Sequence, residues 1–148
     1  MTITEVNKET HEAGIGLRLI QLGRMASRQL RAALAPTRLT PPHAAVLAQL
    51  SEDGPISQRA LGEALELDSS NLVGLLNDLE ADRLAVRRRD PDDRRRHIVE
   101  ISARGSTRLA DADRAIAATE ARLLDGLDDD QRRELQELLA RIAEATKK

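Results

Sequence analysis

Six arginines fall in the run RRRDPDDRRRHIVEI between Arg87 and Ile101. A guanidinium stays charged at any ordinary pH and presents its donors in a rigid plane, so its partners are carboxylates, carbonyls and phosphates. Pro91 between aspartates is turn chemistry, and Ile98, Val99 and Ile101 resume an apolar pattern. The run therefore reads as two short strands joined at a tip. Arginines crowded onto a narrow projecting ribbon repel one another, a cost that a purely structural hairpin has no reason to bear. A polyanion would remove that cost.

Just upstream, residues 69–81 read as a helix whose faces separate cleanly at about 100° per residue. Leu72, Leu75, Leu76 and Leu79 cluster on one side, and Ser70, Gly74, Asn77 and Ala81 lie opposite, with Val73, Asn71 and Asp78 on the flanks. Small and amide side chains on a short helix suit insertion into a major groove. There Asn can bond an adenine edge in bidentate fashion, Ser serves several bases and Val touches a thymine methyl. Taken alone, such a face could equally be the solvated side of a core helix. The arginine-tipped hairpin that follows favours the nucleic-acid reading.

The charge balance says that any such surface is local. The 148 residues carry a formal net charge of −2, yet seven arginines stand between Arg83 and Arg96 against Asp90, Asp92 and Asp93, while residues 120–144 hold eight acids against four arginines. One end is basic and the other acidic. Cysteine is absent, which excludes disulfides, thiol redox sensing and Cys-ligated zinc. Phe, Tyr and Trp are absent too, which removes the stacking platforms of single-strand and RNA binders. The N-terminal MTITEVNKETHEAG is polar and no apolar run approaches the ~20 residues a bilayer needs, so no signal peptide or membrane span is expected and the location is expected to be cytoplasmic.

The elements that must carry helix and hairpin follow from periodicity and caps. Residues from about Glu12 to Ala35 form a long helix with Ile15, Leu19, Leu22, Ala26, Leu30 and Ala33 at helical spacing, ended by Pro36. Thr40 caps a second helix with Pro41 at its first position, and EDG at 52–54 closes it. Ser57 caps a third, with Ile56 and Leu61 placed as a hydrophobic staple, and a turn at 66–68 leads into the fourth. Ser102 caps a fifth helix, from about Ala103 to Leu127, and DDD at 128–130 opens a sixth with Leu135, Leu138, Leu139 and Ile142 on one face. A terminal helix with so clean a stripe needs a partner, and the simplest is the same surface on a second copy.

The run LDSSNLVGLLNDLEADRLAVRRRDPDDRRRHIVEISARG, from Leu67 to Gly105, resembles the winged helix-turn-helix of the multiple antibiotic resistance regulator (MarR) family. The resemblance lies in the leucine-spaced recognition helix ending in Leu79-Glu80, the DPDDRR wing at 90–95, and ISARG at 101–105 where the family tends to have Leu-Thr-x-x-Gly. Six helices in this order and spacing extend it over nearly the whole chain. It implies a mainly α fold with a small β-hairpin wing, organised as one domain over 1–148. Residues 40–101 would form the DNA-binding lobe, and 12–35 and 103–146 the dimerisation helices. It further implies a homodimeric, ligand-responsive repressor on a pseudo-palindromic double-stranded operator, with a recognition helix in each major groove and a wing in each flanking minor groove. Arg95 would be the minor-groove residue, with Asp93 bracing its guanidinium.

The residues expected at DNA are Arg59, Ser69, Ser70, Asn71, Val73, Gly74 and Asn77 on helices, and Arg89, Asp93, Arg94, Arg95 and Arg96 on the wing. Those expected at the dimer interface are Ile15, Leu19, Leu135, Leu138, Leu139 and Ile142. His43 is the residue placed to line a small-molecule effector pocket. His11, His43 and His97 lie in three different elements and are not read as a metal set, and no cofactor is expected. No nucleophile and base stand at a recognisable spacing, so an enzyme is not expected. The chain departs from the family pattern at four positions. Arg83 stands where Gly is usual, which predicts either a different helix ending or a side chain held at positive φ. Gly74 and Asp78 replace frequent basic residues, and Val73 replaces a common hydroxyl. The contrasting function is a winged-helix scaffold that binds protein, but such a lobe would expose larger apolar residues on the fourth helix.

Overall fold

The computed structural model describes residues 14–147. The expected helix start near Glu12, and His11, lie outside that range.

Helix α1 (Ile15–Leu34) buries only Leu34, its last residue, and packs on α5 through its C-terminal half. Pro36 stops it in a short 3-10 turn, Ala35–Thr37. Helix α2 (Pro41–Asp53) begins as its sequence dictates: Pro41 sits at the first position, and Thr40 and His43 cap one another, the Thr40 N–H donating to His43 Nδ1 at 3.2 Å. Gly54, at φ 71° and ψ −158°, turns the chain out of α2 through a region only glycine enters freely. Helix α3 (Gln58–Leu65) is capped by the Ser57 hydroxyl, and α4 (Ser69–Ala81) by Asp68.

The hairpin is present as β2 (Ala85–Arg89) paired antiparallel with β3 (His97–Ile101), with Arg87 opposite Val99 and Arg89 opposite His97. A third strand was not expected. β1 (Ile56–Ser57) pairs with the other edge of β3, setting Ile56 opposite Val99 and giving the order β1-β3-β2. Two residues are too few to show alternation, so only the finished sheet reveals that Ile56 extends it.

Helix α5 (Ala103–Leu123) ends four residues before the expected Leu127. The reason is Arg132, whose guanidinium donates to the carbonyls of Leu124 and Leu127 at 3.0 and 3.1 Å and satisfies them without a further helical turn. Helix α6 (Asp129–Thr146) opens on a capping box between Asp128 and Gln131, with Asp129 and Asp130 at the positive end of its dipole. Among the described residues no helix is long and apolar enough to cross a membrane.

The core is one aliphatic cluster in which Leu34, Leu47, Leu50, Leu61, Leu76 and Leu84 are each fully buried. It lies where α2, α3, α4, the sheet and the first turns of α5 meet. Leu84 is its most constrained member. Its N–H donates to Leu79 O at 2.8 Å while the Arg83 N–H donates to Glu80 O at 2.9 Å, which together close α4 in a Schellman motif. The residue in the left-handed position is Arg83, at φ 60°, so the helix ends where the usual glycine would end it and the side chain is held at positive φ. The α3 end repeats the device with Glu66 at φ 54° and the Leu67 N–H on Gly62 O. The Leu84 carbonyl in turn accepts the Ser102 N–H at 3.0 Å and lies so close to Gly105 that a β-carbon there would sit 2.0 Å from it.

That contact predicts that Gly105→Ala destabilises the fold by about 3 kcal/mol or more, because backbone rather than a flexible side chain blocks the new methyl. Nothing lies within 4 Å of a β-carbon built on Gly74, so Gly74→Ala should be neutral or stabilising by up to ~1 kcal/mol. Paired urea melts would check both, and a Gly105→Ala midpoint equal to wild type would refute the packing described.

Candidate nucleic-acid interface

The faces of α4 fall as their spacing predicts. Leu72, Leu76 and Leu79 are buried and Leu75 half-buried, while Ser69, Ser70, Asn71, Gly74, Asn77, Asp78 and Ala81 are exposed and Val73 lies half-covered between them. The exposed face begins at a dense cap. Asp68 Oδ1 accepts the Asn71 N–H at 2.8 Å and the Ser70 hydroxyl at 2.9 Å, and its Oδ2 accepts Asn71 Nδ2 at 2.9 Å. The Asn71 N–H above all, and then the Ser70 hydroxyl, hold the Asp68 carboxyl below its usual 3.8.

Midway along, the face is tied to its neighbours. Asp78 Oδ2 lies 2.9 Å from His43 Nε2. Since His43 Nδ1 accepts from Thr40, Nε2 carries the proton and donates, so both ring nitrogens are engaged and His43 couples the start of α2 to α4. Asn77 is tied from the other side. Arg87, in the third position of β2, donates from NH2 to Asn77 Oδ1 at 2.8 Å, sets its Nε 2.7 Å from Glu80 Oε1, and reaches Gln58 Oε1 at 3.4 Å. The Asn77 amide is thus held with its oxygen toward the wing, an orientation the angular map of the helix does not give. Arg87, Glu80 and Gln58 were not singled out from the sequence. The signal was present nonetheless: strand alternation puts Arg87 on the same side as buried Ala85, toward α4 rather than toward solvent.

At the tip, the wing is organised by its acids. Asp90 Oδ1 accepts the Asp92 N–H, and Asp93 Oδ1 accepts the Arg95 N–H at 3.0 Å. Asp93 Oδ2 stands 3.6 Å from Arg96 Nε. Asp93 therefore braces the backbone of Arg95 and the side chain of Arg96, and not the Arg95 guanidinium as expected. Arg89 donates to the Arg94 carbonyl at 2.6 Å, closing the base of the turn, and Arg94, Arg95 and Arg96 are exposed. A cleft of about 1040 Å³ runs between the returning arm of the wing and the α3–α4 turn. It brings Arg59, Ser69, Arg95 and Arg96 together on its walls. Arg59 also forms an exposed pair with Glu63 one turn away.

Among the described residues, most of those expected at a dimer interface have no cover. Ile15, Leu19, Leu138, Leu139 and Ile142 are exposed, Leu135 is half-buried, and α6 buries no residue.

This arrangement has counterparts. Residues 39–96, the whole helix-turn-helix and the wing through Arg96, match the model of the MarR family. Over 132 residues the chain is 32% identical to a protein of Thauera aromatica named as a transcriptional regulatory protein for the hcr operon, covering 88% of this chain and 78% of that one. The chain belongs to the MarR family. It is a transcriptional regulator of that family, with the family's winged-helix fold. Among solved MarR-type structures it is similar to CouR, a transcriptional repressor bound to a 23-mer DNA duplex, with 33% identity and a TM-score of 0.83 over 87% of this chain and 92% of that one. It is also similar to PcaV of Streptomyces coelicolor in complex with its natural ligand, with 26% identity and a TM-score of 0.75 over 93% and 95% of the two chains.

The Asp68 cap carries a prediction about pH. Its folded carboxyl titrates below the unfolded value, so its stabilisation is fully present above that value and is lost as pH falls through the folded one. Asp68→Asn keeps a neutral cap and removes the charge. Wild type should therefore be the more stable at pH 7, with the gap closing below about pH 4. A gap in melting temperature that stayed constant from pH 7 to pH 3 would show that the cap charge contributes nothing.

Proposed function

We propose that this regulator is a homodimeric, ligand-responsive repressor that acts in the cytoplasm on a pseudo-palindromic double-stranded operator. The observation that carries the reading is an exposed, small and amide-rich face of α4 whose first residue, Ser69, shares one cleft with Arg59 and the wing arginines Arg95 and Arg96. Ser69, Ser70, Asn71, Val73, Gly74 and Asn77 would meet base edges or adjacent phosphates in a major groove, with Arg59 on the sugar-phosphate backbone. Arg95, whose backbone is fixed by Asp93, would enter the flanking minor groove, where narrow A·T-rich sequence concentrates negative potential. Arg89, Arg94 and Arg96 would serve the phosphates around it. The DNA-bound state of CouR supports this mode.

Dimerisation is proposed through α1 and α6, because Ile15, Leu19, Leu138, Leu139 and Ile142 have no cover among the described residues. An effector is proposed too, as the ligand-bound state of PcaV supports by analogy, and its place is proposed where these helices approach the DNA-binding lobe. A ligand that captured His43 Nε2 would compete with Asp78 and release α4 from α2, which gives His43 a route to the DNA-reading face.

Binding of duplex DNA flanking the gene, followed by fluorescence anisotropy at low and moderate salt, tests the reading. Gly74→Glu should abolish binding while leaving the fold intact, since open space surrounds Gly74 but a carboxylate there would face phosphates. Asp93→Ala should weaken binding although it removes a negative charge, because it frees the Arg95 backbone. Tighter binding by the Asp93 variant would reduce the wing to a charge cluster. Failure of wild type to bind any duplex at low salt would leave a protein-binding scaffold in place of the repressor. Separately, Leu138→Asp with Ile142→Asp should give a monomeric or unfolded chain, and a folded wild-type monomer in micromolar sedimentation would overturn the dimer.

A further inference from the structure

Arg87 does more than support the wing. Its guanidinium can only donate hydrogen bonds, so the atom of Asn77 that faces it at 2.8 Å must be the amide oxygen, which removes the usual ambiguity of an amide orientation. Among the described residues no acceptor holds Asn77 Nδ2, and Asn77 is exposed on the side of α4 opposite the buried leucines. The amide therefore turns its oxygen to the wing and keeps its two N–H groups outward. Asn71, at the start of the same helix, is held in the opposite sense, with its Nδ2 given to Asp68. Opposite orientations on one helix show that each amide is set by its own clamp and not by a shared backbone preference.

Resting on the reading that α4 enters a major groove, we propose that Arg87 is a specificity-positioning residue that makes Asn77 select guanine over adenine. Guanine presents two neighbouring acceptors, N7 and O6, in the major groove, whereas adenine presents an acceptor and a donor. A free Asn matches adenine by offering one oxygen and one N–H. A clamped Asn77 has its oxygen drawn toward Arg87 and its N–H groups turned outward, so the N6 amino group of adenine would meet donors in the groove, whereas the two acceptors of guanine would both face them.

The clamp holds on binding because Arg87 is not a loose surface arginine. Its side chain is 21% exposed, and Glu80, itself 34% exposed, faces its Nε at 2.7 Å. If Arg87 swung away to a phosphate, the Glu80 carboxylate would be left unpaired beside a polyanion. Gln58 on α3 adds a third contact at 3.4 Å, so the guanidinium ties three segments together at the root of the wing. Arg88, by contrast, is paired at 3.8 Å with the half-exposed Glu100 on β3.

The test is selection from a randomised 30-base-pair duplex library by wild type, Asn77→Ala and Arg87→Gln, with circular dichroism melts to confirm folding. The position read by Asn77 is the one whose preference flattens in Asn77→Ala. Wild type should enrich guanine there in each half-site. Arg87→Gln should shift that position toward adenine, because a glutamine accepts as well as donates and lets the amide turn over. The guanine-to-adenine ratio should change by roughly 5- to 150-fold, the range of one bidentate base contact. A measurement that needs no variant uses wild type on its selected duplex with 7-deazaguanine at that position, where loss of N7 should weaken binding about fivefold. Three results would overturn the proposal: adenine chosen by wild type, a guanine preference unchanged in folded Arg87→Gln, or 7-deazaguanine bound as tightly as guanine. Each of these leaves duplex binding itself standing. If wild type enriches no duplex at all, the repressor reading fails and this proposal fails with it.

Discussion

Leu84 is where three directions in the structure are decided at once. Its N–H closes the end of α4, its carbonyl accepts the first donor of α5 and rests against Gly105, and its side chain fills the centre of the core. The recognition helix, the wing and the long helix of the other lobe thus leave from one residue and its contacts. Little else is needed to fix the angle between α4 and the hairpin, because β2 starts at the next residue. Arg83 fits the same logic. A side chain at positive φ costs on the order of 1 kcal/mol, and the two hydrogen bonds and buried Leu84 that follow from that conformation outweigh it.

Much of this was legible beforehand, for identifiable reasons. Thr40, Ser57 and Ser102 cap helices where their side chains and positions require, and the four leucines of α4 face inward because their spacing leaves no alternative. Most of what escaped the sequence depends on a partner in another element. β1 is two residues long and exists only against β3, and the early end of α5 depends on Arg132 reaching back from α6. Of the interface, the exposed residues were readable from angle alone, but their hydrogen-bonding sense was not. Asn77 looked free because Arg87 lies ten residues away, and Asp93 looked like a guanidinium brace because proximity in sequence does not say whether a carboxylate will choose backbone or side chain.

The arginines that dominate the sequence divide into two populations once their neighbours are known. Arg87 and Arg88 face Glu80 and Glu100, and Arg89 serves a backbone carbonyl, so these three hold the hairpin together. Arg94 and Arg95 extend beyond the paired region, and the Arg96 guanidinium makes a long contact with Asp93 at 3.6 Å. The repulsion inferred from composition is thus largely quenched at the base of the wing and concentrated at its tip. A charge placed last on a braced stem is held at a definite distance from the body of the domain, and that distance matters more for a groove than the number of charges.

The uncovered state of α6 reaches past architecture into the life of the molecule. Eighteen residues of helix with nothing buried are marginal in water, since a helix of that length draws most of its stability from packing. A copy that has found no cover exposes Leu138, Leu139 and Ile142 and a fraying backbone to proteases and chaperones. If copies pair through this helix as proposed, turnover would depend on abundance, with scarce copies cleared faster than plentiful ones, and the same helix would set a floor on how many must be made before any persist.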